Sequence, residues 1–251
     1  MKIWRLLRTR EDNGAMQMSI DEAVLIAKSK NHIPNTLRFF TWKPPAVTIG
    51  FFQSLKKEVD VVKAKALGID VVRRYTGGGA VLHDKELTYS IVLSEDDVLG
   101  DILKSYKIIC AAITNGLSEL GIKARFKAIN DIIVHRKKIS GNAQTRKNNV
   151  VLQHGTILRE VNVKQMFSIL KVPNEKIRDK MIKVVEDRVT SLRDELGKNI
   201  ILEDLEKALR HGFEKVFNVK FVKGLLTKEE NKLAQQLYLR KYSKKKWNYM
   251  R

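Results

Sequence analysis

From Arg73 to Val92 the chain reads Arg-Arg-Tyr-Thr-Gly-Gly-Gly-Ala-Val-Leu-His-Asp-Lys-Glu-Leu-Thr-Tyr-Ser-Ile-Val. Gly77, Gly78 and Gly79 strip every Cβ from one short segment, so its backbone N–H groups can approach and converge on an anion such as a phosphate. Arg73 and Arg74 precede them with forked donors that suit carboxylate or phosphate oxygens. Val71 and Val72 enter this stretch as a strand, and Leu87 to Leu93 alternate apolar and polar as the next, so the glycines fall on a loop between strands. No Gly-Lys-Ser/Thr follows and no helix opens there, which excludes a P-loop. Taken alone, a glycine triplet between strands reads as a turn.

Three more segments carry groups that could do chemistry. They are Asn130-Asp131, Lys138-Ile139-Ser140-Gly141-Asn142-Ala143-Gln144, and Gln153-His154-Gly155-Thr156-Ile157-Leu158. Each has a bland reading. His135-Arg136-Lys137-Lys138 looks like an exposed hairpin tip, Asn130-Asp131 like a turn pair capping a strand, and His83 and His154 like satisfied strand histidines.

In this order, with Arg-Arg-Tyr-Thr-Gly-Gly-Gly-Ala-Val and His83-Asp84 ahead of them, the segments resemble the lipoate-protein ligase A family, which attaches lipoic acid to a lysine of an acceptor protein. The resemblance implies two half-reactions: lipoate and Mg·ATP give lipoyl-AMP and pyrophosphate, then the acceptor lysine attacks the acyl carbonyl and AMP leaves. It makes Lys138 the catalytic lysine, because the family's lysine directly precedes an Ile-Ser-Gly-like segment, and Asp131 the Mg²⁺ carboxylate with Asn130 beside it. Thr76, Gly77, Gly78, Gly79, Ala80, Val81, Ser140, Gly141, Ala143, Gly155 and Thr156 would bind nucleotide and acyl group, with His83 and His154 edging the lipoyl pocket. Arg73 is expected to reach phosphate or carboxylate oxygens and Arg74 to lie at the surface. Val81, Val151 and Ile157 are expected to wall the acyl slot, and Trp42 is either a pocket wall or a core aromatic.

The elements that must position these groups follow from periodicity. A helix is expected over 15–29, strands over 37–42 and 46–50 joined at Lys43-Pro44-Pro45, a helix over 56–67 stopped by Gly68, and a long helix over 100–120 before Gly121. Strands are expected over 123–126, 131–135, 138–140 and 150–158. Past Val161 the pattern reads as helical throughout, over 163–170, 174–185, 201–216 and 227–241, with a boundary at Pro173. Strands with interspersed helices first and helices at the end make an α+β plan, with mixed or antiparallel sheets flanked by helices, like the biotin/lipoate-ligase catalytic domain, over one domain spanning 1–251.

The formal charge of +20 accompanies 43% hydrophobic and 30% charged residues. Lysines are spread along the chain with no nucleic-acid-binding motif, so specific nucleic-acid recognition is not expected. The charge suits an acidic protein partner, and the family's acceptors are acidic lipoyl domains of the 2-oxoacid dehydrogenase E2 or glycine-cleavage H-protein type. No run approaches the roughly 18 apolar residues a membrane span needs and no signal-peptide core opens the chain, so a cytoplasmic location is expected. The single cysteine, Cys110, sits in an apolar helix and reads as a core residue.

Two-domain members of the family continue into a small accessory domain, so either a separate small protein is expected to assist activation here, or the chain is expected to perform only transfer from preformed lipoyl-AMP. The rival enzyme is an octanoyltransferase working through a cysteine thioester. In the branch most like this chain that cysteine lies just before the Asn130 region, where Ala124-Arg125-Phe126 stands. Biotin-protein ligase is a weaker rival because its Gly-Arg-Gly-Arg segment is absent, and a non-catalytic lipoyl-binding protein is the reading from another class.

Overall fold

The computed structural model describes residues 1–172 and 177–251; the boundary expected at Pro173 lies outside them. Two long strands, β6 (Glu86–Ser94) and β10 (Val150–Leu158), are buried nearly end to end and pair antiparallel from Ser94 opposite Val150 to Glu86 opposite Leu158. On one side of them stand β2 (Thr36–Trp42), β1 (Lys2–Asp12) and β11 (Val219–Gly224). On the other stand β9 (Lys137–Lys147), β8 (Asp131–Val134) and β7 (Arg125–Lys127), giving the eight-stranded order β11-β1-β2-β6-β10-β9-β8-β7 among the described residues. The β1–β2 and β1–β11 pairs are parallel and the others antiparallel.

Side chains alternate across a strand, and both faces of this sheet are covered. Leu87, Tyr89, Ile91 and Leu93 pack with α4 (Ile102–Glu119) and α8 (Leu202–Phe217), through Ile109, Ile113, Leu117, Leu205, Leu209 and Phe213. Val92, Val150 and Leu152 face α1 (Gly14–Ser29), which meets them with Met16, Ile20, Ala23 and Val24. Asn13 starts α1 by accepting the Met16 N–H. A smaller sheet of β4 (Asp70–Arg73), β3 (Ala46–Ile49) and β5 (Val81–His83) packs on α2 (Leu55–Glu58), α3 (Val61–Ala66) and α5 (Val163–Ile169). The α+β plan with mixed sheets flanked by helices is what the sequence implied.

Four elements differ from expectation. The helix expected over 56–67 is two pieces, because Val59 turns extended to bridge Leu170 and Asp60 restarts the helix by accepting the Lys63 N–H. β9 runs through Gly141 to Lys147 instead of ending at Ser140, because its second half pairs along β10 from Ser140 to Lys147, while β8 holds its first half up to Gly141. The region past Val161 is not helical throughout. Between α8 and α9 (Lys228–Leu237) lies β11, which pairs with β1, a strand whose charged sequence gave no signal of its own. Beyond α5 the remaining helical pieces are α6 (Arg178–Glu186), α7 (Leu192–Leu196), a π turn at Tyr238–Tyr242 and α10 (Lys245–Asn248).

Two glycines set the α4–α8 distance. A Cβ on Gly212 would lie 2.1 Å from the Ala112 carbonyl oxygen and 2.5 Å from the Gly116 nitrogen, both rigid helix backbone. Gly212→Ala is therefore expected to destabilise the fold by about 1–3 kcal/mol, read as a lower urea midpoint with an unchanged slope. A midpoint equal to that of the parent protein would show that the helices can part freely.

Candidate active site

A cavity of about 780 Å³ lies between the sheets, lined by the glycine loop, β5, β9, β10 and α5. Its polar wall holds Gly78, Gly79, Asn130, Lys138, Gly141, His83, His154 and Thr156, with Ala80, Val81, Ala143 and Gly155 between them. Apolar cover comes from Met18, Trp42, Leu82, Leu158, Val163 and Met166. The segments quoted from sequence thus converge on one place. Thr76, Gly77, Ser140 and Asp131 stand behind this lining, Thr76 and Ser140 fully buried.

Lys138 reaches the cavity through a β-bulge. Ile132 pairs with Ser140 and Ile133 with Lys138, leaving Ile139 as the extra residue, which sends Ile139 into the core and re-aims the lysine. His135 and Arg136, both with positive φ, close the turn before it. Lys138 Nζ is 2.7 Å from Asp131 Oδ1. A Cβ on Gly141 would lie 2.7 Å from both Cε and Nζ of Lys138, so the glycine is the space the lysine occupies. The Lys138 main chain also bonds to Arg188 and Thr190, tying the α6–α7 connection to the same point. Asn130 is set by a buried series in which Gln153 donates to Tyr89, Tyr89 to Asn142 Oδ1, and Asn142 Nδ2 to the Asn130 carbonyl.

The paired arginines exchange the places expected of them. Arg73 is fully buried and faces away from the cavity, donating to the carbonyls of Gly50, Phe51, Gln53, Trp247 and Asn248. It holds the 50–53 turn to the C-terminal segment. Arg74, expected at the surface, lines the cavity at 5% exposure. Consecutive strand residues point to opposite faces, so one arginine had to turn inward to the site and the other away. Val151 and Ile157 belong to the main core rather than the cavity.

Residues 13–214 match the family model of the lipoyl protein ligase A/B catalytic domain. The chain belongs to this family. It is 38% identical over 273 residues to an octanoyltransferase LipM of Kyrpidia tusciae, covering 99% of each chain. Among solved structures, a bipartite lipoate protein ligase of Thermoplasma acidophilum superposes with a TM-score of 0.90 at 33% identity, covering 99% of this chain and 97% of that one. A lipoate-protein ligase A superposes at 0.87 with 31% identity, covering 99% of each. The chain is therefore an enzyme of the lipoate ligase and transferase family. No helix among its described residues is long and apolar enough to cross a membrane.

Sequence reading of this family member missed the groups behind the cavity wall. Asp21 on α1 pairs with Arg38 at 2.8 Å and His154 Nδ1 at 3.0 Å, and His154 Nε2 meets Thr76 Oγ1 at 2.7 Å. His83 Nε2 meets Thr48 Oγ1 at 2.9 Å and its Nδ1 meets Glu86 at 2.6 Å, while the ring stacks on Trp42 at 4.1 Å. Both histidines are thus held at both nitrogens, one side by a carboxylate and the other by a threonine. Nothing in the sequence links Asp21 to His154, 133 residues apart; only the packing of α1 on β10 does. Burial would raise Asp21, but the hydrogen bond from His154 and the charge of Arg38 outweigh it and hold the carboxyl below its usual range. Among the described residues no three acidic, histidine or cysteine side chains converge on a metal position. Asp131, the carboxylate expected to hold Mg²⁺, is instead ion-paired to Lys138 and stands behind the cavity lining.

Burial pushes His83 below its ordinary 6.5, against the pull of Glu86. Below about pH 6.5 the unfolded chain takes up a proton that the folded chain refuses, so this contribution to stability is whole above that pH and declines as pH falls toward the depressed value. Urea midpoints are expected to drop between pH 7 and pH 5, with a shallower drop in His83→Gln. An equal drop in that variant would assign the effect to other groups.

Proposed function

We propose that this enzyme attaches an octanoyl or lipoyl group to a lysine of an acidic lipoyl-domain protein, and that it does so through an acyl adenylate. The observation that carries the choice is the position of Cys110. Its thiol is completely buried on α4 beneath the sheet, 3.9 Å from Gln153 Nε2, and burial pushes it up to about 12. A thiol so placed supplies no thiolate at neutral pH, and no other cysteine exists in the chain.

The cavity supports the adenylate route. Joining an acid to the α-phosphorus of ATP breaks the α–β phosphoanhydride bond and releases pyrophosphate, and the charge on the phosphoryl oxygens must be neutralised. Lys138 Nζ supplies a cation at the cavity wall, and Asp131 holds it in place. In the second step the neutral acceptor amine attacks the acyl carbonyl, the carbonyl–phosphate bond breaks, AMP leaves, and the amine's proton passes to water or phosphate. Lys138 opposes the developing oxyanion in both steps. The apolar cover from Trp42, Leu158, Val163 and Met166 suits an eight-carbon tail. The related ligase solved with ATP supports nucleotide binding by this scaffold, and the archaeal ligase described with its E2 lipoyl domain supports that class of acceptor, toward which a +20 surface would steer.

The second reading is direct transfer from an octanoyl carrier protein, favoured by the name of the LipM relatives. It meets the missing thiolate: Arg125, exposed on β7, stands in the segment where that branch carries its cysteine. An accessory protein that assists activation belongs to the proposal as well.

The test is mass spectrometry of a lipoyl domain incubated with the enzyme and, in separate arms, Mg·ATP with lipoate or octanoate, synthetic lipoyl-AMP, and octanoyl carrier protein. Modification with lipoyl-AMP, with or without modification from Mg·ATP, is expected. Cys110→Ala should retain it, and Lys138→Ala should lose it by about 100-fold or more. Modification from the carrier protein alone, abolished in Cys110→Ala, would overturn the adenylate route.

A further inference from the structure

Arg74 is a buried cation that the fold leaves without a counter-ion. Its Nε donates to Thr76 Oγ1 and the Gly77 carbonyl at 3.2 Å, and NH1 to the Thr48 carbonyl and Oγ1 at 3.3 and 3.0 Å. NH2 donates to the Gly77 and Gly79 carbonyls at 2.7 and 2.8 Å. All its acceptors are neutral, and among the described residues no carboxylate lies within ion-pair distance. The charge itself is therefore not compensated by the protein, although every donor is used. Burial pulls the group down to about 10, with only the Tyr106 phenol and no carboxylate working against it. Such a charge is costly unless something in the adjoining space is negative.

The same contacts decide which way the glycine loop faces. Two loop carbonyls are turned onto the guanidinium, and Gly78 sits between them at φ +95°, a conformation open to glycine. Its carbonyl in turn fits against Gly50, where an added Cβ would lie 2.0 Å from it. The loop's oxygens are thereby withdrawn, while among the described residues no protein acceptor takes the N–H groups of Gly77, Gly78 or Gly79. A nest of free amides over an uncompensated cation is an anion site built from one side chain.

We propose that Arg74 is the positioning residue of this anion site: by holding back the Gly77 and Gly79 carbonyls it presents the loop amides, and with its own charge it complements the acid's carboxylate and the phosphate that replaces it. The proposal rests on the adenylate reading for the identity of the anion, but not for the loop geometry. The fork is essential to it. A lysine keeps the charge but cannot reach Thr48, Thr76, Gly77 and Gly79 at once, so Arg74→Lys and Arg74→Gln should fail alike.

Two measurements separate the claims. Hydrogen exchange of peptides covering 75–81, without ligand, should be faster in both variants than in the parent protein. The KM for octanoate in the acyl-transfer assay, and the dissociation constant of octanoyl-sulfamoyl adenosine, a stable adenylate mimic, should rise about tenfold or more in both. Wild-type exchange in either variant, or wild-type affinity in Arg74→Lys, would overturn the positioning role. A mimic that fails to bind the parent protein would sink the adenylate reading and leave the exchange result to decide Arg74. If both variants fail to fold, Thr48→Ala carries the test. Removing the hydroxyl acceptor of NH1 should accelerate exchange over the same peptides, and unchanged exchange would overturn the proposal.

Discussion

A guanidinium taken out of water needs an acceptor for each of its N–H groups, and here two neighbours on one short strand impose that demand in opposite directions. Arg73 gathers five carbonyls from the 50–53 turn and the C-terminal segment, and Arg74 gathers carbonyls and hydroxyls from β3 and the glycine loop. The first ties β4 and the 50–53 turn to a segment that lies 175 residues beyond Arg73 in the chain. The second makes the wall of the cavity. Between them β4 becomes the axis on which the glycine loop is hung, and the loop cannot adopt another orientation without leaving one buried cation unsatisfied.

The same logic extends along the cavity wall. Asp21, His154, Thr76, Arg74, Thr48, His83 and Glu86 form one hydrogen-bonded series with a carboxylate at either end. Each histidine has one nitrogen on a carboxylate and the other on a threonine hydroxyl, which fixes the ring's orientation. A wall of this kind is rigid because each member is a partner of two others. It meets the apolar cover formed by Trp42, Leu158, Val163 and Met166, and a cavity so divided suits a ligand with an anionic head and a hydrocarbon tail.

Much of this was legible in the sequence. The glycine triplet, Lys138 and the 153–158 strand converge as the family resemblance implied, although by residue type alone the triplet read as a turn and Lys138 as a hairpin tip. Strands β2, β6 and β10 and helices α1 and α4 follow their periodicity. What could not be read is non-local. Adjacent Arg73 and Arg74 are equivalent until it is known which face of β4 the C-terminal segment covers. β1 and β11 are charged or short, and become strands by parallel pairing across the whole chain. Asp21 reads as one acidic residue on an amphipathic helix, and its meeting with His154 depends on how α1 packs on β10.

The relatives also separate overall likeness from chemistry. An identity of 38% over essentially the whole length carries the family and its fold, since these depend on many residues together. Thioester catalysis depends on one sulfur in reach of the acyl carbon. Here the chain's sulfur nucleophile is sealed between α4 and the sheet among Tyr89, Gln153 and the aliphatic core, where ionisation is opposed by the same burial that stabilises the helix. Moving it to the cavity would require unpacking the core that positions Asn142 and Asn130. A thiolate route through Cys110 and this core are therefore alternatives, which is why the proposed adenylate route gives the charge to Lys138.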